Sequence, residues 1–342
     1  MSEIYCSEIM GVGHFVPERI MTNNDLTAFM DTSDAWIKER TGISERRIAA
    51  TGVSTSELGY KAALNAFSRS DVKKEEIDLI IAATLSPDYY FPGIAVLIQN
   101  RLQIPCPAID LRAQCSGFSW GLTIAHAMIQ SKQYKNILVV GSDIHSRIID
   151  FSDRGRNVSV LFGDGAGAAI VSAKKRSAEA HVKNKVSGII DNYMGSDGSG
   201  AELLAMTRPG LSGPELFITK EEVENKSYSP YMEGGKVFKH AVTRMCESIT
   251  ALLERNHLTA DDIDFLVPHQ ANIRIISAVA EKFKFPMDKV IVNIHKYGNT
   301  TSASLPLCLS EGVADGRLTK GKLILTVAFG SGFTWGANLI RW

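Results

Sequence analysis

At 342 residues and 45% hydrophobic side chains, the chain can bury a substantial core as one large globular, soluble domain or two medium ones. Lys plus Arg and Asp plus Glu stand at 37 each, so nothing global points to a nucleic-acid or membrane-surface partner, and any electrostatic docking must be local. Cys6, Cys106, Cys115, Cys246 and Cys308 form no CxxC pair, which argues against zinc and a disulfide framework and fits a reducing cytoplasm. Met1 to Met10 has neither the basic start nor the apolar core of a signal peptide, and no apolar run approaches membrane-spanning length.

In chain order, Ile9 to Phe15 reads as a first strand. Its Gly11-Val-Gly13 lacks the third glycine of a dinucleotide fingerprint, and Pro17 follows. Asn24 to Met30 and Ser33 to Arg40 read as short helices; the second, capped by Thr32 or Ser33, carries Trp36 and Arg40 one turn apart on one face. Helix Ser56 to Phe67, strand Ile77 to Ala83, helix Gly93 to Leu102, strand Ala108 to Ala113, helix Ser116 to Gln130 and strand Asn136 to Gly141 then alternate. That alternation predicts an α/β protein with a largely parallel sheet covered on both faces. Val158 to Phe162 and Gly167 to Ser172, separated by Gly163-Asp-Gly-Ala, read as two strands joined by a tight hairpin rather than a phosphate cradle.

A second half repeats the first. Asp78 in Glu76-Ile-Asp-Leu-Ile-Ile and Asp264 in Asp262-Ile-Asp-Phe-Leu-Val lie 186 positions apart, as do Ile137 and Leu323, and Cys115 shifted by the same offset falls two residues from Asn299. The expected halves are 1–178 and 179–342. Between them, 195–235 is rich in glycine, including Gly213, and reads as an excursion with little regular structure that covers or lines a site; Leu203, Leu204, Leu211, Leu216, Phe217 and Ile218 are expected to pack.

Three positions carry chemistry. Cys115 stands at a strand-to-helix turn, where unpaired N–H groups and the helix dipole favour thiolate over thiol, while Gly117 keeps the approach open. His269, in Pro268-His-Gln-Ala-Asn, occupies the same kind of turn, and Asn299, in Val290-Ile-Val-Asn-Ile-His-Lys-Tyr-Gly-Asn-Thr-Thr-Ser-Ala-Ser, follows a strand and precedes the helix Ser302 to Gly312. Such strand ends gather in one crevice of an open α/β sheet. The other histidines lack comparable partners and read as structural or solvated. Cys, His and Asn in that order also suit a papain-like hydrolase, but that family lacks the strand-helix repeat and its glycine-tryptophan pattern after the cysteine is absent.

Asp31-Thr-Ser-Asp-Ala-Trp-Ile with Arg40-Thr-Gly-Ile, Cys115-Ser-Gly-Phe, Phe162-Gly-Asp-Gly-Ala-Gly-Ala, Pro268-His-Gln-Ala-Asn, Gly298-Asn-Thr and Ala328-Phe-Gly-Ser-Gly-Phe-Thr-Trp-Gly follow one another as in the ketoacyl-ACP synthase III branch of the thiolase superfamily. The chain resembles that family over its whole length. The resemblance implies a thiolase-like fold, two βαβαβαββ halves in a layered αβαβα core, and a homodimer. It implies a fatty-acid-initiating condensing acyltransferase with no cofactor and no metal: acyl-CoA acylates Cys115, and malonyl on acyl carrier protein (ACP) then condenses by decarboxylation.

By the same resemblance, His269 and Asn299 hold the enolate, and the backbone N–H groups of Cys115 and Ser331 form the second oxyanion hole. Trp36 and Arg154 would clasp the CoA adenine beside Thr32, Arg40 and Gly155, with Phe238, Ala241 and Asn272 along the pantetheine tunnel. Phe329 and Phe91 would line the acyl pocket, Phe91 from the partner subunit, and Lys239 and Arg274 would dock the acidic carrier. Glu281-Lys282 replaces a lysine pair of some relatives. Ser86-Pro-Asp-Tyr-Tyr, Asp110-Leu-Arg-Ala-Gln-Cys-Ser-Gly and Ser152-Asp-Arg-Gly-Arg-Asn also resemble enzymes that make alkylquinolones, and olefin-forming relatives share the Cys-His-Asn set. The alternative is therefore a synthase of secondary metabolism, with malonyl-CoA or acyl-CoA as second substrate.

Overall fold

The structure, a computed structural model, describes residues 3–177, 186–211 and 217–342. In the first part of the chain, β1 (Glu3–Phe15) precedes a small ribbon of β2 (Ile20–Thr22) and β3 (Glu45–Arg47) that encloses α1 (Asn23–Leu26) and α2 (Asp34–Thr41). Next come α3 (Thr55–Phe67), β4 (Leu79–Ala83), α4 (Ile94–Leu102), β5 (Ala108–Leu111), α5 (Gly117–Gln130), β6 (Asn136–Asp143), α6 (Arg156–Ser159) and β7 (Gly165–Ser177). Helix starts follow side-chain caps: Ser33 Oγ accepts from Trp36 N, and Ser54 Oγ from Glu57 N. Gly42, in the left-handed region at φ 77°, ends α2.

The second part runs β8 (Gly188–Ser196), β9 (Leu204–Ala205), α7 (Lys220–Glu224), β10 (Tyr231–Met232), α8 (Gly234–Arg255), β11 (Phe265–Pro268), α9 (Ile273–Lys282), α10 (Ile294–Tyr297), α11 (Ser304–Ala314), β12 (Leu323–Gly330) and β13 (Thr334–Arg341). The two main sheets share one plan. The first has the order β1-β7-β6-β4-β5 and the second β8-β13-β12-β11, each parallel from one edge (β5 or β11) and continued by antiparallel strands to the other. The repeat extends to single bonds. Asp78 accepts from the main-chain N of Lys135 and Asn136, and Asp264 accepts from Leu323 N and Lys322 Nζ.

Alternate residues of β4 explain the layering. Leu79 and Ile81 face α5 and α11, while Ile80 and Ala82 face α3 and α4. In the central layer Phe118, Leu122, Leu305 and Leu309 pack between Ile81 and Val139 of the first sheet and Val267 and Ile324 of the second. On the far side, Met245 and Ile249 of α8 with Ile276 and Val279 of α9 cover Leu266 and Leu325. Each such fully buried side chain contributes roughly 1.5–3 kcal/mol. The result is the five-layered αβαβα arrangement.

Several local expectations are corrected. Val158 to Phe162 is no strand, and Gly163-Asp-Gly-Ala closes no hairpin. Val158 lies within α6, and Phe162 forms one parallel bridge with Asn299. A Cβ at Gly163 would collide with the Tyr297 carbonyl, and the buried Asp164 carboxylate accepts from Ala49 N, His145 N, Ser146 N and Ser146 Oγ. The segment thus connects α6 to β7. The strand expected before Asn299 is reduced to a single bridge, Leu266 with Val290. The excursion is more regular than its glycines suggest: β9 pairs with β10, and α7 starts at a Thr219 cap. Leu203 and Leu204 pack on the core, but Leu211 is 80% exposed. Gly213, Leu216 and the 178/179 boundary lie outside the described residues.

Candidate active site

Cys115 sits in a 3-10 turn, Gln114–Ser116, between β5 and α5. Gln114 holds φ at 44°, a left-handed conformation that side chains seldom adopt and that sharpens the turn. Gly330, at the end of β12, must be glycine, because a Cβ there would lie 2.8 Å from Cys115 N. Gly117 serves packing rather than access: its Cβ would meet that of Ala83 at 2.7 Å. The sulfur does not rest as a thiolate. Burial, with the Asp143 carboxylate adding to it, pushes the thiol up to about 12, so the site holds a neutral thiol at neutral pH. Desolvation outweighs the favourable turn position.

His269 follows β11, and its main-chain N donates to the Val327 carbonyl at 2.8 Å. Its Nδ1 lies 2.6 Å from Ser304 Oγ at the start of α11. Burial pulls its pKa down to about 3, so the ring is neutral. Asn299 is fixed by N–H donation to the Leu161 carbonyl, while its Oδ1 accepts from Thr301 N at 2.8 Å, which leaves Nδ2 to donate. The Cys115 turn packs against Thr301–Ala303 and the end of β12. All three side chains therefore gather around 299–304, each no more than 7% exposed.

Asp143 joins the two halves of this arrangement. Fully buried at the end of β6, its Oδ1 accepts from Thr84 Oγ1, Leu85 N, Ser86 N and Ser86 Oγ; its Oδ2 accepts from Thr301 Oγ1, Ser302 N and Ser302 Oγ. The sequence reading missed both Asp143 and Ser304. The hydroxyl run Thr300-Thr-Ser-Ala-Ser was the visible signal, since a buried hydroxyl cluster requires an acceptor.

A cavity of about 1060 Å³ opens beside Cys115. Its wall includes Ser331, Ile144, His145 and Phe162, Tyr89 and Tyr90, and excursion residues from Leu204 to Thr207 and Phe217. Phe329 is buried against Phe333, whose ring centroid is 4.8 Å away, while Phe91 is 81% exposed; neither lines the cavity.

The residues expected at CoA lie elsewhere. Trp36 is flanked by guanidinium groups, Arg40 at 4.7 Å from the ring centroid and Arg156, not Arg154, at 5.2 Å. Arg154 instead pairs with Asp150 at 2.9 Å and donates to the Asn225 carbonyl, because the buried Asp150 carboxylate draws it inward. Gly155 is required by packing, as a Cβ would collide with the Asp150 carbonyl. Thr32 has a buried hydroxyl with no partner among the described residues. Asn272 caps α9 and donates from Nδ2 to the Arg40 carbonyl. Phe238, Lys239 and Arg274 are exposed, whereas Ala241 lies in the core. No group of three metal-ligating side chains occurs among the described residues, and no helix there is long and apolar enough to cross a membrane.

A nucleophilic thiol, a neutral imidazole and a carboxamide, set on equivalent turns of a duplicated αβαβα fold, define a condensing enzyme of the thiolase type. Comparison with known proteins makes the assignment narrower. Residues 109–198 match the family described as 3-Oxoacyl-[acyl-carrier-protein (ACP)] synthase III, and residues 253–342 match its C-terminal part. A beta-ketoacyl-[acyl-carrier-protein] synthase III of Caldanaerobacter subterraneus is 43% identical, covering 100% of this chain and 99% of its own length. One from Clostridium acetobutylicum is 44% identical over 98% of each chain. The crystal structure of 3-oxoacyl-[acyl-carrier-protein] synthase III from Aquifex aeolicus is 40% identical, covers 98% of this chain and 100% of its own, and has a TM-score of 0.87. The chain belongs to the 3-oxoacyl-[acyl-carrier-protein] synthase III family of condensing acyltransferases.

Proposed function

We propose that the chain starts fatty-acid synthesis by joining an acyl group from acyl-CoA to malonyl-ACP. The observation that carries this is the convergence of Cys115, His269 and Asn299 on 299–304. Cys115 Sγ attacks the thioester carbon, the acyl group moves to sulfur, and the thiol proton leaves with CoA. The N–H groups of Cys115 and Ser331 hold the acyl oxygen. Malonyl-ACP then loses carbon dioxide, and His269 and Asn299 donate to the enolate oxygen. In the tautomer with Ser304 donating to Nδ1, the His269 proton is on Nε2, as this role requires. The enolate carbon attacks the acyl carbon, the sulfur leaves, and 3-oxoacyl-ACP is released. No cofactor enters these steps.

CoA enters past Trp36, Arg40 and Thr32, with Arg156 beside Arg154 and Gly155 at the adenine, and its pantetheine arm runs by Phe238, Ala241 and Asn272. The carrier docks on the exposed Lys239 and Arg274. A homodimer is supported by the exposed Tyr89, Tyr90 and Phe91 next to β5, an open edge strand with Ile109 exposed; Phe91 would then close the partner's acyl pocket beside Phe329. The halves 1–178 and 179–342 act as one unit in the cytoplasm. Supplying malonyl-ACP and malonyl-CoA separately to the acylated enzyme tests the second substrate. Product from malonyl-ACP at least tenfold faster than from malonyl-CoA is expected, and the reverse order would move the chain to secondary metabolism.

A further inference from the structure

Two hydrogen-bonding side chains face the Cys115 cavity with no hydrogen-bond partner among the described residues. His145 is only 3% exposed, yet its Nδ1 has no partner, and Nε2 makes no hydrogen bond among the described residues. The ring is not loose. It stacks on Phe162 with centroids 4.2 Å apart and planes at 19°, and its main-chain N donates to Asp164 Oδ1 at 2.8 Å. Gln114, the residue before the nucleophile, also lines the cavity, and its amide makes no bond among the described residues. Buried polar groups are nearly always paired, so a rigidly held imidazole left unpaired beside a reactive cysteine requires an explanation. The wall also carries the apolar Ile144, Ile148, Phe162 and Leu204 and the polar Ser86, Asp88, Arg112 and Arg147. Polar groups held at fixed positions in a cavity are how a binding site orients and selects a ligand.

We propose that His145, with Gln114, selects the acyl group, so that the chamber takes an acyl chain carrying a neutral hydrogen-bonding substituent, a hydroxyl or an amino group, in preference to the plain chain of the same size. This rests on acylation of Cys115 within the same cavity. A plain acyl group leaves the imidazole desolvated and unpaired, and a site built to bond a polar group rejects the analogue that lacks it. Burial holds His145 neutral, with its pKa lowered to about 4, so it offers one donor and one acceptor rather than a cation for a carboxylate.

The test uses matched CoA thioesters, hexanoyl with 3-hydroxyhexanoyl and benzoyl with 2-aminobenzoyl, and follows the rate of acyl-adduct formation on the full-length protein by intact mass. In the wild type, the substituted member of at least one pair should acylate Cys115 tenfold or more faster. His145→Phe, which keeps the stack on Phe162, and His145→Met should each lose that preference by tenfold or more, and His145→Gln should recover part of it. Equal or slower rates for both substituted members in the wild type would overturn the proposal, as would a wild-type ratio in any folded apolar variant. Should neither apolar variant fold, the wild-type ratios decide. Acylation without preference removes the role of His145 alone; no adduct from any thioester, with Cys115→Ala behaving identically, removes the underlying reading too.

Discussion

The turn that carries Cys115 and the turn at Thr301–Ala303 are equivalents in the repeat, and they are finished in opposite ways. Both precede a central-layer helix, and both hold a non-glycine residue at positive φ, Gln114 at 44° and Thr301 at 50°. The second turn is saturated, with Asn299 Oδ1 and Asp143 Oδ2 taking its main-chain and hydroxyl donors. Around Cys115 the Ser116 N and Oγ and the Thr334 Oγ1 all donate to the Ala113 carbonyl, no side chain among the described residues accepts from the turn's main-chain N–H groups, and the sulfur faces a cavity. Duplication supplied two similar strained turns. One is scaffold, its donors taken by side-chain acceptors, and the other closes on a main-chain carbonyl and leaves its sulfur facing the cavity.

The largest test of this contrast removes the reacting groups themselves. Cys115→Ala should abolish the acyl adduct, while His269→Ala and Asn299→Ala should keep it and slow condensation by about 10²- to 10³-fold each. Comparable loss of acylation in the His269 variant would place the imidazole in the first step instead. Asp143→Asn should come next, because an amide nitrogen cannot accept the bonds that hold Thr301 and Ser302. A loss of stability on the order of 3 kcal/mol in denaturant titration is expected. The same change removes a negative charge near the sulfur, so Cys115 should alkylate faster at a given pH.

Titration separates the turns further. With the thiol near 12, Cys115 alkylation by iodoacetamide should rise about tenfold per pH unit up to pH 10. A plateau above pH 7 would restore the thiolate. The buried histidines act on stability at acid pH. His269 falls from 6.5 to about 3 on folding and His145 from 6.5 to about 4, so below pH 6.5 the unfolded chain binds protons that the folded one does not. Stability should therefore fall toward acid, by roughly 1.4 kcal/mol per pH unit for each ring until its folded value is reached. The smallest expected effect is at the surface. Arg156→Ala should raise KM for acyl-CoA about fivefold through its cation–π contact with Trp36, more than Arg154→Ala, whose guanidinium is engaged with Asp150.

What the sequence made legible was local or periodic. The strand-end positions of Cys115 and His269 follow from a change of hydrophobic period, and the repeat follows from an offset that the paired carboxylates of Asp78 and Asp264 explain. What it hid depends on partners far away in the chain. Gly163-Asp-Gly looks like a hairpin until Tyr297 and Ala49 are brought against it, and Arg154 and Arg156 cannot be told apart without the buried Asp150. The thiol state was misread for a related reason: a turn can be recognised from a few residues, but desolvation is set by everything packed around it.

The measurement that bears most directly on the account is intact mass of the protein after acyl-CoA and again after malonyl-ACP, beside Cys115→Ala. An adduct of the acyl mass that is absent in the variant, and is discharged by malonyl-ACP with formation of 3-oxoacyl-ACP, is the predicted result. An adduct that persists in Cys115→Ala, or one that malonyl-ACP leaves in place, would contradict it.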